Sequence, residues 1–273
     1  MNVDFHVHCN SNDPDEFRTF LTTCEKNETI AALAGGLHYG GHNFLPNEEV
    51  IALCRKYPHN TVPLAKIDLW DIPPDLAEAR RYVDHGVRGF KFIYSYYEYD
   101  HESYMPLYEE IERLGIPVLF HTGSYRPDPV DIQFKRPILK NMSPIHLDTI
   151  ARSFPNLHLV TAHMGTTFFR EIAAELVKLH PNLYFDLAGN GSFLGVSPAE
   201  LARLLMPAVF TRDMEGNHFR KLVFGSDAYV TIPAIQTEAF QAYRQIMLLN
   251  RISKEDQTAI FGNTVASWMK LDI

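Results

Sequence analysis

The alternation of apolar and amphipathic segments is the feature that most constrains the fold of this chain. Short apolar runs recur about every 25 to 40 residues, with amphipathic stretches between most of them, and this is the period of βα units. The runs are VDFHVH, TIAALAG, TVPLAKID, VRGFKFI, PVLFHTG, LHLVTAHMG, LYFDLAG and KLVFGSD. Eight strands that alternate with helices predict a (β/α)8 barrel. A doubly wound open sheet shares the alternation and is the second choice.

The segments between the runs carry the start and stop signals of helices. PDLAEARRYVDHG and MPLYEEIERLG each end in a glycine, which commonly follows the last helical turn. Ser143 and Ser197 each precede a proline, an arrangement that predicts a capping serine before proline at the first helical position. Glu200 completes a capping box with Ser197. Three helical stretches are expected after Pro233.

Length and composition limit the number of domains and the compartment. The 273 residues fit one large domain or two small ones, and the 46% of hydrophobic residues suffice for a sizeable core. Since the eight predicted units form one barrel, we expect a single domain over residues 1–273. The formal charge of −8 disfavours a nucleic-acid partner. No apolar stretch approaches the roughly 18 residues that a membrane helix needs, and no signal peptide precedes Val3. Cys9, Cys24 and Cys54 lack C-x-x-C spacing and are expected to be reduced thiols in a cytoplasmic protein, with Cys9 facing away from His8.

Polar side chains collect where the predicted strands end. His6 and His8 lie two residues apart in the first strand, so both side chains point to the same face. In a barrel the active site forms at the C-terminal ends of the strands. The polar residues at those ends are His6, His8, Lys91, His121, His163 and Asp227. Each one alone could be an ordinary interior or turn residue, but their convergence on one end of one barrel predicts a metal site. Imidazole and carboxylate ligands with an open position are typical of a catalytic zinc-like ion.

Several of these segments resemble the amidohydrolase superfamily, in the branch of metal-dependent hydrolases and decarboxylases called the amidohydrolase-2 family. The matching segments are DFHVH, GVRGFKF, FHTG, TAHMG, FGSDA and IFGNTVASWM, which occur in the family's order from end to end. The resemblance implies a (β/α)8 fold and one divalent ion, zinc first, with manganese and nickel as alternatives. It implies that the ligands are His6, His8, His121 and Asp227. It also implies that His163 is a catalytic histidine beside the metal rather than a ligand.

The reaction that we expect is hydrolysis of a small amide, ester or lactone by a metal-activated water. Asp227 would orient the water, take its proton and return it to the leaving group, and His163 would help to stabilise charge on the attacked oxygen. The main alternative is a non-oxidative decarboxylase of a small carboxylic acid, aromatic acids included, with the same ligands. A metal-binding barrel without catalysis is disfavoured because every element of the catalytic set is present.

Lys91 decides between one metal and two. It could be a carboxylated lysine that bridges two metals, a free ammonium that binds an anionic substrate, or a barrel lysine paired with an interior acid. The wider match favours the one-metal branch. We therefore expect a free amine on Lys91 and assign it to substrate binding.

The loops after the strands are expected to form the substrate pocket. Residues 122–142 should cover the barrel mouth, whereas residues 206–220 could not be assigned. Loop residues that could line the pocket are His38, His42, Tyr94, Tyr96, Tyr97 and Tyr99, and those that could bind a substrate carboxylate are Arg126, Lys135 and Arg136. The expected partner is a small molecule, and a homodimer is left open.

Overall fold

Eight parallel strands form the centre of the molecule. The computed structural model describes residues 1–36, 44–125, 138–206 and 218–272. The strands are β1 Asn2–His8, β2 Thr29–Ala34, β3 Thr61–Lys66, β4 Phe90–Phe92, β5 Val118–Phe120, β6 Leu159–Thr161, β7 Leu183–Phe185 and β8 Ala228–Tyr229. They pair in the order β7-β6-β5-β4-β3-β2-β1-β8. This order follows the sequence without the reversal of a doubly wound sheet. The predicted alternation is confirmed, and the fold is an α/β TIM-type fold.

Helices connect the strands. The α-helices are Pro14–Lys26, Asn47–Lys56, Leu76–Asp84, Met105–Leu114, Leu147–Ser153, Thr166–Leu179, Asn190–Phe193, Pro198–Leu204, Ala234–Leu249, Lys254–Thr258 and Thr264–Met269. Short 3-10 turns occupy Glu102–Tyr104, Leu139–Met142, Pro144–His146, Ala162–Gly165 and His218–Lys221, and a π-turn occupies Ala259–Asn263. In the described part of the chain, no helix combines the length and the apolar character that crossing a bilayer requires.

The helix signals in the sequence are largely confirmed. Ser197 accepts a hydrogen bond from the N–H of Glu200 (3.1 Å) at the start of the helix Pro198–Leu204. Gly115 ends the helix Met105–Leu114 with a left-handed φ of 67°. Ser143 caps a 3-10 turn, and the α-helix Leu147–Ser153 begins only after that turn. Three α-helices follow Pro233, as predicted.

The first strand departs from simple alternation. Asp4 pairs with Ala31 and Val7 with Leu33, so β1 carries one more residue than β2 between these pairs. This bulge resets the side-chain parity. Phe5 therefore packs in a cluster with residues of β5 and β6, whereas Val7 packs with the helix Pro14–Lys26.

The eighth strand is irregular where the sequence predicted a continuous strand ending at Asp227. The regular part of β8 is Ala228–Tyr229, directly after Asp227. The preceding residues still bridge the two edges of the sheet, because the N–H of Val223 donates to Phe185 O (2.9 Å) and the N–H of Phe5 donates to Phe224 O (3.0 Å). Asp227 has a φ of 64°, in the left-handed region. This conformation interrupts the strand at the carboxylate.

The three cysteines are buried and free, as expected. Cys9 packs with Phe17 and Phe20 of the first helix. These two aromatic residues and Cys24 occupy positions i, i+3 and i+7, so one apolar face of that helix covers the sheet.

Candidate metal centre

A cavity of about 480 Å³ opens at the C-terminal ends of the strands. Four residues that the sequence singled out form polar walls, and residues of several loops and of β8 form aromatic walls. The polar residues are His8, His121, His163 and Asp227, and the aromatic residues are Phe44, Tyr94, Tyr125 and Tyr229. This is the end of a TIM-type sheet at which active sites form.

His6, His8 and Asp227 form the tightest group of ligand atoms. Nε2 of His8 lies 2.9 Å and Nε2 of His6 lies 3.2 Å from Oδ1 of Asp227. These three residues offer atoms that all lie within 4.8 Å of one another. The two histidines share a face, as predicted, and Asp227 approaches them from the segment beside β1. The geometry fits a divalent ion with N and O ligands.

Lys91 reaches the same two histidines. Its Nζ contacts Nε2 of His6 and lies 3.1 Å from Nε2 of His8. The side chain is fully buried. Burial lowers the pKa of Lys91 to about 8, although Asp227 and Asp186 favour the charged form. The lysine tip therefore competes with a cation for the same imidazole nitrogens, and it must share or leave this position when a metal binds.

Asp186 is a site residue that the sequence prediction missed. It follows β7 directly, and its Oδ2 lies 2.9 Å from Nδ1 of His6. Its Oδ1 accepts the backbone N–H groups of His163 (2.6 Å) and Ala188 (3.0 Å). Together with His6 and His163 it forms a second group of possible ligand atoms within 4.8 Å. The signal was available in LYFDLAG, where the aspartate ends the seventh apolar run.

A chain of hydrogen bonds assigns the proton positions of two histidines. Nδ1 of His163 lies 2.8 Å from Ala188 O, and a carbonyl can only accept, so Nδ1 carries the hydrogen. In the tautomer that carries its hydrogen on Nδ1, His163 accepts at Nε2 from Nδ1 of His121 (3.1 Å). This leaves the lone pair of His121 on Nε2, which is buried and has no hydrogen-bond partner. An orphaned imidazole lone pair is what a metal ligand requires.

His121 nevertheless stands apart from the tight group. Among the described residues, the two clusters of ligand atoms contain His6 with His8 and Asp227, and His6 with His163 and Asp186. His121 belongs to neither. Its link to the centre is the contact with His163, whose ring centroid lies 4.8 Å away.

Burial and neighbouring charges shift the titration of this centre. Burial lowers the pKa of His8 and of His121 well below the usual value, and Lys91 lowers both further. These imidazoles are therefore neutral, as metal ligands must be. Burial alone would raise the pKa of Asp227, but His6 and His8 together bring it well below its usual range. Asp227 is thus an ionised carboxylate.

Special backbone conformations bring these groups together. His163 and Asp227 have φ values of 61° and 64°, where non-glycine residues are uncommon. A Cβ on Gly189 would lie 3.0 Å from Oδ2 of Asp227, and one on Gly225 would lie 2.9 Å from Oδ2 of Asp186. Both carboxylates therefore need a glycine beside them.

Buried Asp4 fixes the turn that carries Asp227. Its carboxylate accepts the N–H (2.9 Å) and the hydroxyl (2.7 Å) of Ser226 and the amide of Gln236 (3.1 Å). Burial raises the pKa of Asp4 to about 6. Asp4 thus ties β1 to the start of β8 directly beneath the two histidines.

The predicted loop residues have different outcomes. Tyr94 lines the pocket, and Tyr99 is buried and donates to His121 O (2.8 Å). Tyr96 and Tyr97 pack against each other with ring centroids 4.9 Å apart and do not line the pocket. The remaining predictions lie outside the described residues. They concern His38, His42, Arg126, Lys135, Arg136 and most of residues 122–142 and 206–220.

A match to a family model establishes the family to which the chain belongs. The amidohydrolase family model Amidohydro_2 matches residues 4–266, nearly the whole chain. The chain belongs to the Amidohydro_2 family. This confirms the resemblance drawn from the motifs and makes the protein a metal-dependent enzyme of the amidohydrolase superfamily, for which hydrolysis and decarboxylation both fit. No curated protein matches the chain significantly.

Solved structures share the fold of this Amidohydro_2 member at low sequence identity. An uncharacterized TIM-barrel protein from Bordetella bronchiseptica is 17% identical with a TM-score of 0.68, over 98% of this chain and 99% of that one. A probable 2-pyrone-4,6-dicarboxylic acid hydrolase from Acinetobacter baumannii is 13% identical with a TM-score of 0.65, over 99% of both chains. A 2,6-dihydroxybenzoate decarboxylase from Rhizobium is 14% identical with a TM-score of 0.63, over 98% of both chains.

Proposed function

We propose that the protein is a metal-dependent hydrolase that splits a small amide, ester or lactone. The observation that carries the proposal is the meeting of three donor atoms at the C-terminal ends of the strands, namely Nε2 of His6, Nε2 of His8 and Oδ1 of Asp227. The partnerless Nε2 of buried His121 supports a fourth ligand. Three or four such ligands with an open position are typical of a catalytic centre rather than a structural one.

The ligand set that we propose is His6, His8, His121 and Asp227, with one ion bound. Neutral imidazoles and a carboxylate suit zinc best, and manganese and nickel accept the same donors. We infer a free amine on Lys91, which would contact an anionic part of the substrate. We also infer that the eight strands close into a complete (β/α)8 barrel in a single domain over residues 1–273, because the segment before β8 hydrogen-bonds to both β7 and β1.

Asp227 would act as the general base. When bound, a divalent ion lowers the pKa of a water from 15.7 to about 7 and polarises a carbonyl group. Asp227 is ionised, and its side chain keeps 23% of its surface exposed to the pocket. It would hold the attacking water, accept its proton and return that proton to the leaving group.

His163 would support the same step from the pocket wall. The hydrogen bond to Ala188 O holds its ring, and its Nε2 faces the centre beside His121. This imidazole would help to stabilise charge on the attacked carbonyl oxygen. Its contact with Nδ1 of His121 would also orient that ring as a ligand.

Decarboxylation of a small carboxylic acid remains the second candidate. It is favoured by the solved structures with the same fold, which include a 2,6-dihydroxybenzoate decarboxylase as well as a probable 2-pyrone-4,6-dicarboxylic acid hydrolase. The proposed ligands serve either reaction, and a protein acid that protonates carbon would replace the general base.

The test is an assay of lactones, amides, esters and aromatic acids with the metal-loaded protein in ¹⁸O-labelled water. Hydrolysis places one labelled oxygen in the acid that is formed. Decarboxylation releases carbon dioxide, and the organic product that remains contains no label. The Asp227→Asn variant at equal metal content is the matched control for background reactions. Release of carbon dioxide without formation of a labelled acid would show that the protein is a decarboxylase and not a hydrolase.

We further infer a cytoplasmic protein that acts on a small molecule. The three buried free thiols support a reducing compartment. A homodimer is compatible with this function, and its test is the mass of the protein in solution.

A further inference from the structure

Lys66 places a buried amino group in the wall of the pocket. It is the last residue of β3, the position from which barrel strands supply functional groups. The side chain is only 3% exposed, yet it lines the cavity. Among the described residues its Nζ forms no hydrogen bond and no ion pair; it lies 5.0 Å from the centre of the Phe44 ring. The carboxylate of exposed Asp68 acts on it only from beyond ion-pair distance. A buried ammonium without an acceptor costs free energy, so a structural role does not explain it.

The backbone of Lys66 is held rigidly. Asn47 accepts the N–H of Lys66 (3.1 Å) and donates to its carbonyl (2.8 Å), so one buried amide pairs with both backbone groups. A Cβ on Gly36 would lie 2.4 Å from Oδ1 of Asn47 and 3.0 Å from Cβ of Lys66. The lysine therefore projects from a fixed base into the cavity. Such a fixed base is typical of a binding residue.

Nearly parallel rings lie between Lys66 and the candidate metal centre. The ring of His8 lies 5.0 Å from that of Phe44 at 26°, and 5.0 Å from that of Tyr229 at 24°. The ring planes of Phe44 and Tyr229 are inclined to each other by 19°. On another wall, Tyr94 and Tyr125 meet edge to face at 5.2 Å. Such walls accept a flat, unsaturated molecule better than a bulky one.

The balance of charge in the cavity favours an anion. Among the described residues that line it, Asp227 is the one acid, and it already faces the histidines. Lys66 is then the cation on the described cavity wall that can meet an anionic group away from the histidines, because Lys91 lies against His6 and His8. Burial and the nearby Lys91 lower the pKa of Lys66 well below its usual value, although Asp68 opposes the shift. An arriving carboxylate would favour the charged form in the same way as Asp68.

We propose that Lys66 binds a carboxylate of a planar substrate whose reacting group lies at the metal centre. The substrate class is thus a flat, conjugated or aromatic acid that carries a carboxylate in addition to the group that reacts. Lys66 determines specificity and takes no part in the chemistry. This inference rests on the proposed function, because it assumes that the reacting group meets His6, His8 and Asp227.

The test compares two flat probes that differ by one charge. Benzene-1,3-dicarboxylate carries two carboxylates, and 3-carbamoylbenzoate replaces one of them by a neutral amide. Binding of both to the metal-loaded protein is measured by calorimetry. A charge-assisted hydrogen bond should make the wild type prefer the dicarboxylate by roughly tenfold or more. Lys66→Met should reduce the preference to about onefold, and Lys66→Arg should retain most of it.

Two controls make the result specific. Lys140→Met removes an exposed lysine that pairs with Glu98 away from the cavity, and the preference should not change. Without ligand, Lys66→Met should have a Tm at or above that of the wild type, because it removes a buried charge that has no partner. Equal metal content in all variants is checked by elemental analysis.

The outcomes separate this inference from the proposed function. A preference that survives in Lys66→Met, a wild type that does not distinguish the probes, or a lower Tm in the unliganded variant overturns the role of Lys66. If the protein hydrolyses none of the substrates, but Lys66→Met removes the preference for the dicarboxylate, the role of Lys66 stands and the hydrolase is overturned.

Discussion

Oδ2 of Asp186 lies 2.9 Å from Nδ1 of His6, and this contact determines which nitrogen of His6 faces the candidate metal centre. An ionised carboxylate only accepts, so Nδ1 of His6 carries the hydrogen and Nε2 presents a lone pair. The other oxygen of Asp186 accepts two backbone N–H groups, those of His163 and Ala188. One carboxylate after β7 therefore positions residues of β1 and of the turn after β6.

Asp186→Asn should weaken metal binding although the side chain keeps its size. In either orientation the NH₂ group of asparagine faces a donor and cannot accept its hydrogen bond. The donor is His6 on one side and the two backbone N–H groups on the other. Loss of such a contact typically costs 10- to 100-fold in metal affinity or activity. Chelator competition measures the metal affinity. Asp148→Asn is the matched control. Oδ1 of Asp148 lies 2.7 Å from Nε2 of His180, and this pair does not line the pocket. Equal affinities in both variants would remove Asp186 from the site.

Asp227→Asn should give a folded protein with little activity. Asparagine tolerates the left-handed φ of 64° at this position, so the fold should survive. The amide cannot accept the proton of a water, and we expect a loss of at least roughly a hundredfold in turnover. Circular dichroism checks the fold and steady-state kinetics with the true substrate measures the loss. Near-normal turnover would show that Asp227 is not the base.

Lys91→Ala tests whether the centre holds one metal or two. With a free amine on Lys91, the variant should keep its metal and mainly bind substrate less well, seen as a raised KM. Metal content and kinetics are measured on the same preparation. Two metals per chain that are lost together in the variant, or a carbamate on the lysine of the wild type, would contradict the free amine and move His163 into the ligand set.

Glu110→Gln should remove a pH-dependent clamp, which is the ion pair of Glu110 with Arg80 between the helices Met105–Leu114 and Leu76–Asp84. Hydrogen bonds from Arg80 lower the pKa of Glu110 from 4.5 to about 2, although burial opposes the shift, and Arg113 adds to it. The unfolded chain therefore binds more protons than the folded one between these values. Stabilisation is complete above pH 4.5 and is lost as the pH falls towards 2.

Because both arginines are largely exposed, we expect Glu110→Gln to cost only about 1 kcal/mol at neutral pH. Urea unfolding at neutral and at acidic pH measures the cost. The exposed neighbour Glu109 on the same helix supplies the control Glu109→Gln, which should have no comparable effect. A cost that does not shrink as the pH falls would contradict the clamp.

Most of the fold and the histidines at the ends of the strands could be predicted because both depend on local patterns. Apolar runs of strand length mark the strands, and a polar residue that ends such a run marks the site. The rule applied to β7 would have found Asp186, and applied to β3 it would have found Lys66.

Features that depend on contacts distant in sequence could not be predicted. The bulge in β1 arises from its pairing with β2, and the interruption at Asp227 accompanies its contact with His8, 219 residues earlier. The proton positions of His121 and His163 follow from Ala188 O, a backbone group that no side-chain pattern announces.

The metal content of the purified protein tests the central claim most directly. Elemental analysis should find about one divalent ion per chain, zinc first, held by His6, His8, His121 and Asp227. His121→Ala should lose most of this metal, whereas His163→Ala should keep it and lose turnover. A protein without metal that also fails to bind added zinc, manganese or nickel would contradict the account.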